Sequence, residues 1–229
     1  IEFKLKVMWF KDILRVPAAR RYLWSLYFAG EAYVELHPDG VFIPRLQQPY
    51  GLLLDRHLAD DTRHAGIFKS LLAQEGCTPE HLSWKEDLGW FLLNKIVPDI
   101  VARAGAGCEL SAKEAAQYMA FLHTLELRST SDLYGLLTAA RQLGLKELVA
   151  QLETIIPYEI FHAAYTHRAV LELTGDKEKA RVLLDRTRRA EWPLYRESAT
   201  IIMERLIKLK AIPPTGRGLI MWHAMRILC

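Results

Sequence analysis

The sequence predicts an all-α protein, and three observations carry that expectation. Strand signals are nearly absent from the 229 residues, because no run of alternating β-branched residues is flanked by turn dipeptides. Apolar residues recur at helical spacing in long stretches punctuated by proline and glycine. The predicted helices also pair by loop length: modest loops join the first to the second and the third to the fourth, while more than thirty residues separate the second from the third.

The first long helix is expected over about residues 17–36, stopped by His37-Pro38-Asp39-Gly40. After a connection bracketed by Pro44 and Pro49, a second runs over about 50–75 and closes at Gly76. Residues 77–110 are less regular: Thr78-Pro79 can open a short helix, and the stretch from Trp84 to Gly105 reads as amphipathic, broken or kinked at Pro98. Ser111-Ala-Lys-Glu114 is a capping box that starts a third long helix, ending near Gly144. A fourth covers about 145–173 with Pro157 inside it, and Thr174-Gly175 stops it. A fifth starts at Asp176 and reaches about 210, and the tail from Pro213 to Cys229 has room for one short helix. Two antiparallel hairpins joined by a crossover that spans the bundle satisfy these connection lengths. We expect one domain over 1–229, with its core bundle at about 17–173 and a C-terminal extension at 176–229.

Half of the residues are hydrophobic and a quarter are charged, the balance of an ordinary globular chain. A net charge of +3 gives no argument for nucleic acid, although Lys4, Lys6, Lys11, Arg15, Arg20 and Arg21 make the first thirty residues locally basic. Cys77, Cys108 and Cys229 are scattered and form no CxxC pair, which fits a reducing compartment. No apolar run reaches membrane-spanning length and there is no signal-peptide pattern, so the expectation is a soluble cytoplasmic protein without a membrane partner.

Two short motifs stand out. Asp61-Thr-Arg-His64 lies on the second helix and Glu159-Ile-Phe-His162 on the fourth, and residues three apart share a helix face. Each motif has a lone acid in apolar surroundings on its hairpin partner: Glu31 in LYFAGEAYV and Glu126 in YMAFLHTLELR. Glu31 precedes Asp61 by 30 residues and Glu126 precedes Glu159 by 33, so the two halves repeat one pattern. Glu35 is an alternative to Glu31 and Asp60 to Asp61, with Glu31 favoured because its spacing matches the second half. Four carboxylates meeting in an apolar core would repel and protonate. Two divalent cations offset that charge, and the oxygen-plus-imidazole donor set suits iron or manganese. The plain alternative is a non-enzymatic helical interaction protein, with the acids solvated beside Arg63 and Arg128 and the histidines bonded to backbone.

This pattern resembles the ferritin-like di-iron carboxylate family, in which two helices each give one Glu and two give Glu-x-x-His. The resemblance covers residues 17–173, departing from the usual pattern where Asp61 stands for Glu. It implies a ferritin-like four-helix bundle with Glu31, Asp61, His64, Glu126, Glu159 and His162 as ligands of two iron ions, or of iron and manganese. The activity it implies is that of an O2-dependent oxygenase or oxidase. A small organic substrate, O2 and an external reductase or ferredoxin would be its partners, and assembly into an oligomer is compatible with it. A ferroxidase is the nearest alternative. Glu126-Leu-Arg-Ser129 is similar to the E-x-R-S stretch of tRNA-modifying di-iron hydroxylases, which adds tRNA as a minor alternative substrate. His123 and His167 are further ligand or outer-shell candidates, and Tyr27 and Tyr165 are near enough in sequence to act as redox-active tyrosines.

Overall fold

The computed structural model describes residues 2–36 and 44–213, and among these every regular element is a helix. Helix α1 (Glu2–Arg15) comes first, followed by α2 (Pro17–Glu31), the single turn α3 (Tyr33–Leu36) and α4 (Tyr50–Gln74). The crossover holds α5 (Leu88–Ile96) and α6 (Pro98–Gly105), and the chain continues as α7 (Ala112–Leu143), α8 (Lys146–Thr174) and α9 (Lys177–Lys208). No described helix is long and apolar enough to cross a membrane.

Local signals explain most boundaries. Ser111 accepts from the Glu114 N–H, and the Glu114 carboxylate accepts in return from the Ser111 N–H, so α7 opens on the expected capping box. Gly144 and Gly175 end α7 and α8 at φ 71° and 61°, where a side chain would be strained. Asp176 caps α9 by accepting from Lys179 N–H (2.9 Å).

The long first helix expected over 17–36 is instead interrupted at Ala32 (φ −86°, ψ 26°), one residue after Glu31, where Gly30 weakens the last turn. Thr78-Pro79 opens no helix. Its neighbours satisfy backbone groups through side chains, Glu80 N–H donating to Ser25 Oγ and Ser83 N–H to Glu86 Oε2, so no helical ladder is needed there. The basic N-terminal segment is itself helical. Val7, Phe10, Ile13 and Leu14 bury one face of α1, while Lys6 reaches Asp132 (2.6 Å) and Lys11 reaches Gln142 (3.1 Å) on α7. Gly135 permits this approach, since a Cβ there would stand 3.0 Å from Lys6 Cγ and 3.2 Å from Phe10. The short helix expected in the tail lies outside the described residues.

Side-chain pairs fix the helix directions. Arg20 meets Glu75, Tyr27 stacks on Phe68 and Glu31 meets His64, so α2 and α4 run antiparallel. Arg141–Glu153, Ser129–Glu159 and His123–Ala163 make α7 and α8 antiparallel. His64–Glu159, Asp60–His162 and His57–Tyr165 set α4 against α8, again antiparallel. It follows that α4 and α7 point the same way, which only a connection spanning their length allows. That is the physical reason for the long segment 75–111.

Two apolar clusters fill the interior. One joins α1 and α2 to Phe68, Leu72, Leu136 and Leu152, and the other joins α5 and α6 to Leu54, Met119, Tyr165 and Val170. Between them, on the middle turns of α4, α7 and α8, lies a buried polar layer.

Candidate metal centre

All six residues singled out in the sequence meet in that layer, together with two that were not singled out as primary candidates. His162 is fully buried, and His64, Glu159 and Glu126 are nearly so. Glu31 and Asp61 keep some exposure, and both line a cavity that opens toward solvent. One group of side chains combines Glu31, Asp61, His64 and Glu159. A second combines Glu126, Glu159 and His162, and a third His57, Asp61 and His162. Within each group the potential ligand atoms lie within 4.8 Å of one another. Asp61 and Glu159 recur across the groups, so each faces both sides of the layer.

The distances show how the imidazoles are aimed. His64 Nδ1 lies 3.3 Å from Glu31 Oε2 and 3.2 Å from Glu159 Oε1. His162 Nδ1 lies 3.8 Å from Asp61, Glu126 and Glu159. His57 Nε2 lies 3.4 Å from Asp61 and 3.2 Å from Glu126, and its ring stacks on that of His162 at 3.8 Å. The far sides of two rings are anchored: His162 Nε2 sits 3.3 Å from Asp60 Oδ2, and His57 Nδ1 sits 2.6 Å from the Tyr165 hydroxyl. Asp60 is in turn held by Arg63, one helical turn on. Ser129 Oγ donates to Glu159 Oε2 (2.8 Å) and so fixes the second carboxylate-x-x-His motif from α7.

Some sequence candidates go elsewhere. Glu35 points outward to Lys69 (2.8 Å), which leaves Glu31 as the acid of this helix at the layer. His123 turns Nδ1 to the Ala163 carbonyl (3.0 Å) and packs beside His167, which is exposed; neither belongs to the three groups. Arg128 is not a surface group but forms two 2.7 Å bonds to the fully buried Glu191. Arg128 and Ser129, half of the stretch that suggested tRNA, are thus committed to internal partners. His57 went unremarked in the sequence, although its position four before Asp61 and seven before His64 places all three on one face of α4.

Electrostatics identify what the layer lacks. Burial, then the facing carboxylates, pushes Glu31 up to about 7 and holds Asp61 and Glu126 well above the carboxylate range. Glu159 goes the other way: burial opposes its charge, but bonds and attraction from His64 outweigh it and lower its pKa. His64 is raised to about 9, because its bonds to Glu159 and Glu31 overcome desolvation. Burial drives His57 and His162 down to about 4 and so keeps both rings neutral, the form that can bind a cation. His64 Nε2, His162 Nδ1 and Glu159 Oε1 are buried without a hydrogen-bond partner among the described residues, the last despite its proximity to His64. The unpartnered His162 Nδ1 and Glu159 Oε1, beside proton-hungry acids, are acceptors that a cation would satisfy, while His64, protonated at its raised pKa, would have to release a proton to bind one.

This donor set defines, by its chemistry, a candidate site for hard or borderline divalent cations: four carboxylates and three imidazoles with no thiolate. Comparison with protein-family models, with curated proteins and with solved structures gave no match.

Proposed function

We propose that the chain is a ferritin-like dimetal carboxylate protein, holding two iron ions or one iron and one manganese, that oxidises an organic substrate with O2. One observation carries this reading: Asp61 and Glu159 each face two groups of potential ligands, the arrangement required of carboxylates that bridge two cations. Glu31 and His64 would complete one side. Glu126, His162 and His57 would complete the other. Four carboxylates balance two divalent charges, which removes the repulsion now relieved by protonation. The up-down-down-up order of α2, α4, α7 and α8 supports the ferritin-like form of bundle.

When bound, such a pair supplies electrons to O2 and a strong oxidant to whatever lies beside it, and an external reductase or ferredoxin would restore the electrons. The chain's own residues do the rest. Asp60 accepts from His162 Nε2–H and thereby leaves Nδ1 unprotonated toward the centre. Tyr165 does the same for His57 by accepting from Nδ1–H, which aims a bare Nε2 inward. Ser129 keeps one oxygen of Glu159 occupied and the other turned to His64. The apolar clusters flank the layer and leave water access chiefly on the cavity side, where Glu31 and Asp61 keep some exposure. An oxygenase is favoured over a ferroxidase by the mostly apolar cavity that opens onto Glu31, Asp61, Glu126 and Glu159.

The test is metal content by mass spectrometry after expression in iron-supplemented medium, with the Glu159→Ala/His162→Ala double variant alongside. About two metal ions per chain, lost in the variant, is the expected result. No metal in either protein, with equal stability, would return the chain to a non-enzymatic helical protein.

A further inference from the structure

The cavity has a volume of about 220 Å³ and runs away from the centre between α1, α2, α7 and α9. Its inner end is the face formed by Glu31, Asp61, Glu126 and Glu159, and its walls are chiefly apolar, among them Trp9, Phe10, Leu23, Leu26, Leu88 and Ile202. Away from that inner end three charged side chains reach the walls, and each is matched within the fold. Arg128 is held by Glu191 through two 2.7 Å bonds and lies over the Tyr195 ring. Asp132 takes Lys6 at 2.6 Å. Glu86 accepts from Tyr22 (2.6 Å), from the Ser83 backbone (2.8 Å) and from Arg205 (3.0 Å).

Charge pairing of this kind has a consequence for selection. An anionic ligand would have to draw Arg128 away from Glu191, leaving a fully buried carboxylate unpaired. A cationic ligand would compete with Lys6 for Asp132 while losing its own hydration against apolar walls. A neutral ligand disturbs neither pair. For scale, an apolar protein cavity of roughly 150 Å³ accommodates benzene.

We infer that this cavity binds an uncharged, mostly apolar molecule of roughly ten non-hydrogen atoms, seated with one end against the carboxylate–imidazole layer. The inference rests on the dimetal reading only for what happens at that end; binding itself needs no metal. Tyr27, whose ring stacks on Phe68, is among the lining residues.

The experiment uses the full chain, both chelator-treated and iron-loaded, and follows tryptophan fluorescence, to which Trp9 in the wall contributes. The probes are butylbenzene, 4-phenylbutyrate and 4-phenylbutylammonium, which share a skeleton and differ in charge. Saturable binding of butylbenzene to both forms is expected, with 4-phenylbutyrate about tenfold weaker in the chelator-treated form, where its carboxylate would face the four inner acids, and 4-phenylbutylammonium about tenfold weaker in the iron-loaded form, where bound cations already balance them. Ala199→Trp and Leu26→Trp, which fill the cavity from α9 and α2, should abolish binding, each checked for native helicity and melting. Equal or tighter binding of the anion by the chelator-treated form, or of the cation by the iron-loaded form, would overturn the inference. So would absence of saturable binding by butylbenzene, or undiminished binding in a folded plugged variant. If a plug does not fold, the charge series on the unsubstituted chain decides alone. Failure of the dimetal reading would show separately, as a chain that takes up no metal yet binds butylbenzene in its metal-free form.

Discussion

The two helix hairpins carry the same motif but treat it differently. In α7/α8 the acid of the motif, Glu159, is ionised, tied to Ser129 and His64, and follows Pro157 on an unbroken helix. In α2/α4 the corresponding Asp61 is one methylene shorter and strongly protonation-prone. That hairpin carries extra groups, with His57 and Asp60 crowding the same face of α4, and its α2 ends at Glu31. The difference teaches that a repeated motif does not make a symmetric site. The acid of the second hairpin is held by Ser129 and His64, whereas that of the first is left protonation-prone by burial among other carboxylates.

Breaking the organised half should have the largest effect. A metal present at a thousand times its Kd stabilises by about 4 kcal/mol, which for a chain of this size is about 8–16 °C in Tm. Glu159→Gln removes a carboxylate facing both sides, and we expect it to abolish that metal-dependent shift in calorimetry. Asp61→Asn should abolish it too, whereas restoring the longer acid with Asp61→Glu should retain it. Equal metal-dependent shifts in the parent chain and Glu159→Gln would remove Glu159 from the site.

Next in size is the pH response of the metal-free chain, where the sign is decided group by group. Asp61 and Glu126 have raised folded pKa values, so the native state holds protons that the unfolded state has released, and stability falls as pH rises through that range. His64, raised to about 9, contributes fully below its unfolded value near 6.5, and this contribution is lost as pH rises to 9. His57 and His162, lowered to about 4, act oppositely, but their gain is complete by pH 6.5. Glu31, at about 7, loses stability chiefly between its unfolded value and pH 7. Urea melts of chelated protein should therefore show stability falling from pH 6.5 to 9, by about 3 kcal/mol from His64 alone. Metal loading should flatten that fall, because bound cations hold the acids ionised. A metal-free chain that gained stability over this interval would contradict the assignment of charge.

A smaller effect separates ligand from support. Ser129→Ala leaves every proposed ligand in place but frees one oxygen of Glu159, and such outer partners are worth about 10–100-fold in metal affinity. Competition with a chelator of known affinity should register that loss while the number of bound ions stays unchanged.

How legible was all this in the sequence? The helices from Tyr50 to Gln74, Ala112 to Leu143 and Lys146 to Thr174 were readable because helical periodicity agreed with the breakers at Pro49, Gly76, Gly144 and Gly175 and with the Ser111 capping box. The six convergent residues were readable because the motif occurs twice at matched intervals. The pattern places its first helix only from about residue 17 and reads the earlier lysines as the wet face of an amphipathic stretch, and only tertiary contact shows that Lys6 and Lys11 tie that face to α7. His57 was missed because the motif runs forward from the acid, and nothing local marks the ring one turn earlier. The commitment of Arg128 to Glu191 spans 63 residues and two helices, a distance over which sequence spacing carries no information.

The choice between Glu31 and Glu35 is the one the sequence left closest, and it gives the smallest expected effect on the molecule. Both acids follow the apolar face of α2 by helical spacing, but the interruption at Ala32 turns the next turn of chain outward. Glu35 then meets Lys69 at 2.8 Å with more than half of each side chain in solvent, and exposed pairs of this kind are worth about 0–1 kcal/mol. Glu35→Gln should accordingly leave metal content unchanged and shift Tm by about 4 °C or less. Glu31→Gln, four residues earlier, should cost metal. Were Glu35→Gln the variant that lost it, the break at Ala32 would not exist in the metal-bound protein, and the first hairpin would fold as regularly as the second.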